Sequence, residues 1–440
     1  MSSPLKSPRL RRILAAYTVN RLGTWFGLVA LLLAVFDQTN SAIAIAALLF
    51  AGQALPAFVV PAVVARVEAS DHRGELSALY AFEAVATAAL AVLLLSHFWL
   101  PAVLALAALD GTAALAASAL LRAELARAAR DQAEAQPVGT GRSAERREDD
   151  AQEAERKANA ALNVAFSGTF VLGPVLAGAV VAAAGSPAAL FIDAGSFLIC
   201  GALLIDLHPH VEEESDSVRA RLRAAWRHIS ETPSLRGLLL ADAVAFVFFE
   251  SAAPIQVTYA KVTLHAGDRG FGLLLGAWGA GAVLGSVVFA RSLRRPLGTL
   301  LSAGTLAVGL AYVGLAAAPS LGFACVVALF GGLGNGIELP SLTSLVQQLT
   351  PQHLHGRLMG TVESLAALCV AIGLPLGGIL VTLSSPRAAF LVIGLGAMAA
   401  ALALLRISRG TSRSAVDSKD RSPAAGSPAS ELHEPSPSSR

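Results

Sequence analysis

The sequence predicts an all-α integral membrane protein with twelve transmembrane helices in two halves of six. Three observations carry this. Twelve apolar stretches are long enough to cross ~30 Å of hydrocarbon, which takes a helix of ~20 residues. When the segments between them are assigned alternately inside and outside, only Lys261, Arg269 and Arg387 of the 33 Lys and Arg fall outside; basic segments stay cytoplasmic. A Gly/Pro-interrupted stretch in the fifth span also returns in the eleventh, six spans later. A miscounted span would scramble the charge asymmetry, so an even number of spans with both termini cytoplasmic is expected.

Composition agrees. The chain is 55% hydrophobic and 15% charged, with a mean hydropathy of +0.61, whereas a soluble chain carries roughly 25% charged residues. The net charge of +2 points to no nucleic-acid partner, because the basic residues sit at membrane edges. Cys200, Cys325 and Cys369 lie inside spans without ligand spacing, so neither disulfide nor metal is expected.

The elements follow in order. Span 1 (12–36) comes after Lys6, Arg9, Arg11 and Arg12; it is longer than the ~7–15-residue core of a signal peptide and has no clear cleavage site, so it is expected to remain. Asp37-Gln38-Thr39-Asn40 separates it from span 2 (41–65); spans 3 (76–96) and 4 (99–121) follow. Residues 122–157 are rich in Ala, Arg and Glu and are interrupted by Gln136-Pro137-Val138-Gly139-Thr140-Gly141, which predicts two short cytoplasmic helices with a flexible break. Span 5 (158–184) and span 6 (187–207) are joined by Gly185-Ser186-Pro187 and complete an N-terminal half, 1–207. The linker 208–235 opens with Glu212-Glu213-Glu214 and continues through Arg219, Arg221, Arg223 and Arg227. Val218, Leu222, Ala225, Trp226 and Ile229 recur there at helical spacing, which predicts an amphipathic helix along the inner leaflet. Spans 7 to 12 (236–258, 269–291, 299–317, 321–349, 358–384 and 386–407) form a C-terminal half, 236–407. The tail, 408–440, is Ser, Pro and charge and is expected to be disordered.

Within span 5 the interruption reads Gly168-Thr169-Phe170-Val171-Leu172-Gly173-Pro174-Val175-Leu176-Ala177-Gly178; span 11 reads Ile372-Gly373-Leu374-Pro375-Leu376-Gly377-Gly378. Arg156 stands as far before Pro174 as Arg357 stands before Pro375. A six-plus-six chain with a charged linker is the trace of two parallel repeats. A proline inside a span removes a backbone hydrogen bond, and glycines let helices approach closely. Gly168, Gly173, Pro174, Gly178, Gly373, Pro375 and Gly378 are therefore read as a conformational motif.

These stretches resemble the major facilitator superfamily of transporters, in the bacterial exporter branch of the enterobactin exporter-like proteins. Gly173-Pro174-x-x-x-Gly178 resembles the motif of drug and proton antiporters, and Phe191-Ile192-Asp193-Ala194-Gly195-Ser196-Phe197 resembles the branch's sixth span. Pro233-x-Leu235-Arg236 looks like its entry to span 7, and Gly270-x-Gly272-Leu273-Leu274 with Gly279-x-Gly281 like its span 8. His355-Gly356-Arg357-Leu358-Met359-Gly360 is similar to its loop before span 11. The resemblance covers about 12–407 and implies the major facilitator fold, with spans 1, 4, 7 and 10 lining a cavity. One departure stands out. In the superfamily's loop between spans 2 and 3, Val64, Glu68 and Ala69 replace the expected Gly, Asp and Arg, while Asp71 and Arg73 match. With Arg357, residues Glu68, Asp71 and Arg73 are the cytoplasmic loop residues that the resemblance marks as a latch between the halves.

Charges inside spans cost ~2.5–3.5 kcal/mol each at a helix centre on insertion scales, so each calls for a partner, a watery cavity or an edge. Glu83 and Glu363 lie close enough to the cytoplasmic edge to reach loop residues or water. Asp193, near the outer end of span 6, is read as a structural hydrogen-bonding residue. That leaves Arg21, Asp110, Asp242, Glu250 and Glu338, on spans 1, 4, 7, 7 and 10, with Asn335 on the same helix face as Glu338. These six are the candidates for proton coupling or for the substrate cavity. Arg21 and Asp110 are expected to form an ion pair. Gly331, Gly332, Gly334 and Gly336 thin span 10, as suits a gate.

No Walker loop, His-Glu-x-x-His or nucleophile elbow is present, which argues against an ATP-driven pump and a membrane enzyme. The expected function is secondary active transport in the bacterial inner membrane: proton-coupled efflux of a small or medium-sized, partly apolar molecule, by a monomer, without cofactor. The alternative is a non-transporting receptor or assembly partner on the same scaffold.

Overall fold

The computed structural model describes residues 8–60, 75–134, 144–205, 226–292, 294–351 and 354–420. Twelve helices long and apolar enough to cross a membrane run through them: α1 (Pro8–Thr39), α2 (Ala42–Val60), α3 (Glu75–Ser96), α4 (Leu100–Glu134), α5 (Ala144–Ala184), α6 (Ser186–Leu203), α7 (Pro233–Thr263), α8 (Gly267–Arg291), α9 (Leu297–Ala317), α10 (Leu321–Gln348), α11 (His355–Leu383) and α12 (Pro386–Asp420). No strand occurs among the described residues. The fold class read from the sequence is that of the structure.

Three boundaries differ from expectation. The short helices expected on either side of the 136–141 break are continuous with α4 and α5, because a nucleated helix gains a hydrogen bond for each residue it adds; the break itself lies outside the described residues. For the same reason α12 runs on to Asp420 instead of ending near 407. Of the linker, only its end is described: 226–231 is helical, with Trp226 exposed and Ile229 buried.

The start of α1, near Arg9, lies with the ends of α4 and α6, and the start of α9 lies with Ser408 of α12; with twelve antiparallel crossings these ends share one side of the bundle, the terminal face. The opposite, far face has tight turns with local causes. Asn40 takes a left-handed φ of 47°, a conformation Asn tolerates, and its N–H reaches Phe36 O at 2.7 Å. Ser41 then caps α2, its Oγ accepting from Ala44 N at 3.2 Å. Gly185 turns at φ 84° into α6, whose first turn holds Pro187, where the missing N–H costs nothing. Arg387 donates to Ala316 O and Ala318 O, both at 2.8 Å, and so satisfies the carbonyl end of α9.

Helices α1–α6 pack chiefly on one another, and so do α7–α12. Close backbone approach does much of this. A methyl on Gly332 would strike the Trp278 backbone, one on Gly336 the Ala282 backbone, and one on Gly334 the Gly304 backbone. The span-10 glycines, expected to thin a gate, thus lock α10 against α8 and α9. Large apolar residues such as Val85, Leu198 and Leu383 face outward from the bundle, as a lipid-facing surface requires.

Candidate functional site

The two halves meet along two seams, α5 on α8 and α2 on α11. In the first, Gly178 lies against Gly272, Gly272 also against Pro174 O, and Gly279 against Phe170. In the second, Gly378 lies against Ala42, Ile43 and Ala46. Both seams run from mid-helix to the far face. There Lys261, in a π-helical turn at the end of α7, pairs with Asp37 of α1 and, at 2.8 Å, with Asp268 of α8. One lysine thus joins carboxylates of both halves.

The conformational motif divides by position. Gly178 and Gly378 face the other half. Gly173 faces Trp25 of α1, and Gly373 faces Val247 and Glu250 of α7, each within its own half. Nothing approaches Gly168. Pro174 and Pro375 sit inside α5 and α11. The repeated stretch therefore carries two jobs, packing within a half and contact between halves.

A cavity of about 490 Å³ is lined by residues of the N-terminal half. Both N-terminal candidates line it: Arg21 from α1 and Asp110 from α4. They do not pair. Asp110 accepts from Thr87 Oγ1 at 3.1 Å, while the Arg21 guanidinium lies over the Phe166 ring, 5.1 Å from its centroid. Arg21 is within electrostatic reach of Arg122, which stands about 18 Å of helix beyond Asp110 on α4. The expected ion pair fails because Arg21 points toward the terminal end of the cavity and Asp110 lies deeper. Asp193, read as structural, also lines the cavity; it is packed where side chains at Gly23 and Gly27 of α1 would be.

Glu83 departs further from expectation. It is fully buried, and neither carboxylate oxygen has a hydrogen-bond partner. It lies within electrostatic reach of Asp110 and Asp193, which makes three carboxyl groups in one half. Its position was legible: Leu76, Tyr80, Glu83, Thr87 and Leu90 form one buried stripe of α3 at helical spacing. Glu363, by contrast, is exposed, as an edge residue should be.

The C-terminal candidates form a separate group. Glu338 Oε1 accepts from Thr305 Oγ1 at 2.8 Å and is within electrostatic reach of Asp242. Glu250 packs behind Gly373, and Tyr312 lies within reach of both Glu250 and Glu338. Asn335 is half-buried on the same helix. An aromatic column from Phe249 through Trp278 and Tyr312 to Phe390, with centroids 5.6–5.9 Å apart, fills this half. The candidates are thus brought together as two sets, one per half. Glu68, Asp71 and Arg73 lie outside the described residues, as does the side chain of Arg357, which falls in the first turn of α11.

Residues 147–432 match a family described as transmembrane secretion effector. The chain is 28% identical over 258 residues to the multidrug efflux pump Tap of Mycolicibacterium fortuitum, covering 54% of this chain and 60% of that protein. To Tap of Mycobacterium tuberculosis it is 26% identical over 258 residues, covering 57% and 61%. The match therefore spans about 60% of the length of these relatives. Among solved structures, the nucleoside transporter NupG superposes with a TM-score of 0.70 at 11% identity, covering 91% of this chain and 99% of that one. At such identity the likeness concerns the fold alone.

Proposed function

The chain belongs to the transmembrane secretion effector family of the major facilitator superfamily, and from that premise we propose that it exports a small or medium-sized, partly apolar molecule in exchange for protons. The observation that carries this is the pair of seams closed toward the far face, with unpaired or singly hydrogen-bonded carboxyl groups held in each half between that closure and the terminal face. Rocking of the halves about the seams would expose the cavity to either side in turn. Similarity to pumps named for multidrug efflux supports the direction. The stretches around Phe191 and His355 support a place in the enterobactin exporter-like branch.

The basic terminal face is assigned to the cytoplasm of a bacterial cell, since Lys and Arg segments resist translocation. The protein acts as a monomer, and its partners are the bilayer, the substrate and protons. Glu338, Asp242, Glu250 and Asp110 are the proton-exchange groups of this reading, and Glu83 joins them as the most enclosed carboxyl group of the N-terminal half. Carboxyl groups in a water-poor cavity are the ones suited to exchanging protons near neutral pH. The test is flux in proteoliposomes holding the full chain. An imposed pH gradient should drive accumulation of a fluorescent amphiphile, and a protonophore should abolish it. Accumulation that ignores the gradient would remove the proton from the mechanism.

A further inference from the structure

The carboxyl groups of the N-terminal cavity would not by themselves make a site, but α1 brings a second set of unsatisfied groups to the same cavity. Asn20 is 8% exposed, and its Oδ1 has no hydrogen-bond partner. Trp25 Nε1 and Arg21 Nε are buried and unpartnered as well. All three residues line the cavity. Buried polar atoms are costly to leave unpaired, and here two donors and one acceptor from a single helix meet in one place.

The charges are sorted along the cavity. Asp110 and Asp193 mark its deep end, with Glu83 behind them. Arg21 and Arg122 mark the end toward the terminal face. Asp193 packs at both Gly23 and Gly27 of α1, about 3 and 9 Å of helix from Arg21. Between Asp110 and Arg122 on α4 the wall includes the apolar Ala114 and Leu115, and α2 adds Pro56. A purely cationic ligand would leave Arg21 and Arg122 facing its far end, and a purely anionic one would leave Asp110 and Asp193 without a cation.

We infer that this cavity is a two-pole site for an amphoteric molecule. Its ammonium group sits at Asp110 and Asp193, its anionic or carbonyl oxygen sits at Arg21, its charges are within about 1 nm of each other along the helices, and an apolar body with a carbonyl or other acceptor for Trp25 Nε1 joins them. Asn20 Oδ1 accepts from an N–H or O–H of that body. The proposal rests on the export reading for its biological sense and gives that reading a substrate class. It also places recognition in the N-terminal half alone, where the cavity is, leaving the Asp242, Glu250 and Glu338 group free of the ligand.

The test uses the purified full-length protein in detergent and calorimetric titration with three probes: para,para-substituted aminomethyl-biphenyl-carboxylate, its methyl ester (cation only) and its N-acetyl form (anion only). The zwitterion should bind at least tenfold tighter than either capped form. Asp110→Asn should erase its advantage over the N-acetyl form and keep its advantage over the ester; Arg21→Gln should do the reverse. Equal affinities for zwitterion and ester, the opposite assignment of the two variants, or no binding of the zwitterion would overturn the proposal. The wild-type order needs no variant, so a variant that fails to fold leaves the test decisive. Flux measured on the same preparation separates the two readings. The expected binding order without gradient-driven flux overturns proton-driven export and leaves the site standing; gradient-driven flux with equal probe affinities does the opposite.

Discussion

Glu338 holds one hydrogen bond from Thr305 in a helix whose neighbours offer it carboxyl groups and a phenol but no cation among the contacts described. Glutamine keeps its length and can keep accepting from Thr305, but it cannot take up a proton. Glu338→Gln should therefore leave substrate exchange near the wild-type rate and lower gradient-driven accumulation at least tenfold, as read by counterflow and by pH-jump uptake in proteoliposomes. Unchanged gradient-driven uptake would move coupling away from this residue. Arg21 and Asp110 make the converse point. A buried ion pair is strongly destabilised when one partner is removed, but here the guanidinium lies over Phe166 and the carboxylate under Thr87. The stability losses of Arg21→Gln and Asp110→Asn should add to within about 0.5 kcal/mol in a double-mutant cycle of unfolding, as for separated sites. A coupling energy well above that would restore the pair. Both residues were legible as buried charges. Their failure to pair was not, because linear depth counts along two helices ignore where each side chain turns, and an aromatic face can hold an arginine as a carboxylate does.

At the scale of helices, the sequence announces spans and interruptions much better than it announces which faces meet. Hydrocarbon thickness and the exclusion of charge from it set the spans, so their far-face ends were readable to within a few residues, whereas α4, α5 and α12 run on past the terminal-face ends to Glu134, Ala144 and Asp420. A repeated Gly-Pro stretch shows that α5 and α11 are special, but only geometry separates Gly173, which faces Trp25 in its own half, from Gly178, which faces Gly272 across the seam. The distinction yields opposite expectations. Gly173→Leu drives a side chain into Trp25 inside one half and should cost about 1–3 kcal/mol of stability, the usual cost of overpacking. Gly178→Leu meets backbone of the other half, and the two bodies can part. It should leave each half folded and the far face unable to close, seen as near-normal thermal unfolding with lost transport. Gly168→Leu meets nothing and should do neither. If Gly178→Leu transports normally, the seam is not a moving contact. Glu83 shows a signal overlooked: distance from the membrane edge suggested water, but the five-residue stripe it shares with Tyr80 and Thr87 had already placed it inside.

For the molecule as a whole, orientation and closure are linked, because the orientation decides from which compartment the closed seams shut the cavity off. If the basic face is cytoplasmic, a cysteine introduced at position 186 in a cysteine-free background is labelled by an impermeant reagent from outside, and one at 140 is not; labelling of 140 would invert the assignment. The far face is then the outer one, and Lys261 is its fastener. It pairs with Asp37 of the first half and Asp268 of the second, with 14% of its own side chain exposed against 50% for Asp37. Partly exposed pairs are worth about 0.2–1 kcal/mol, enough to shift a two-state balance about 1.5- to 5-fold and too little to lock it. A fastener of that strength suits a transporter that must open on every cycle. Lys261→Met removes the charge and leaves two carboxylates facing each other across the seam. The population open at the far face should rise by that factor, read as faster labelling of a cysteine at Ala46, which the closed seam covers with Gly378. Restoring attraction with Asp37→Lys in the Lys261→Asp background should slow labelling again. If neither exchange alters the rate, the seam glycines alone set the closure and the lysine is incidental to it.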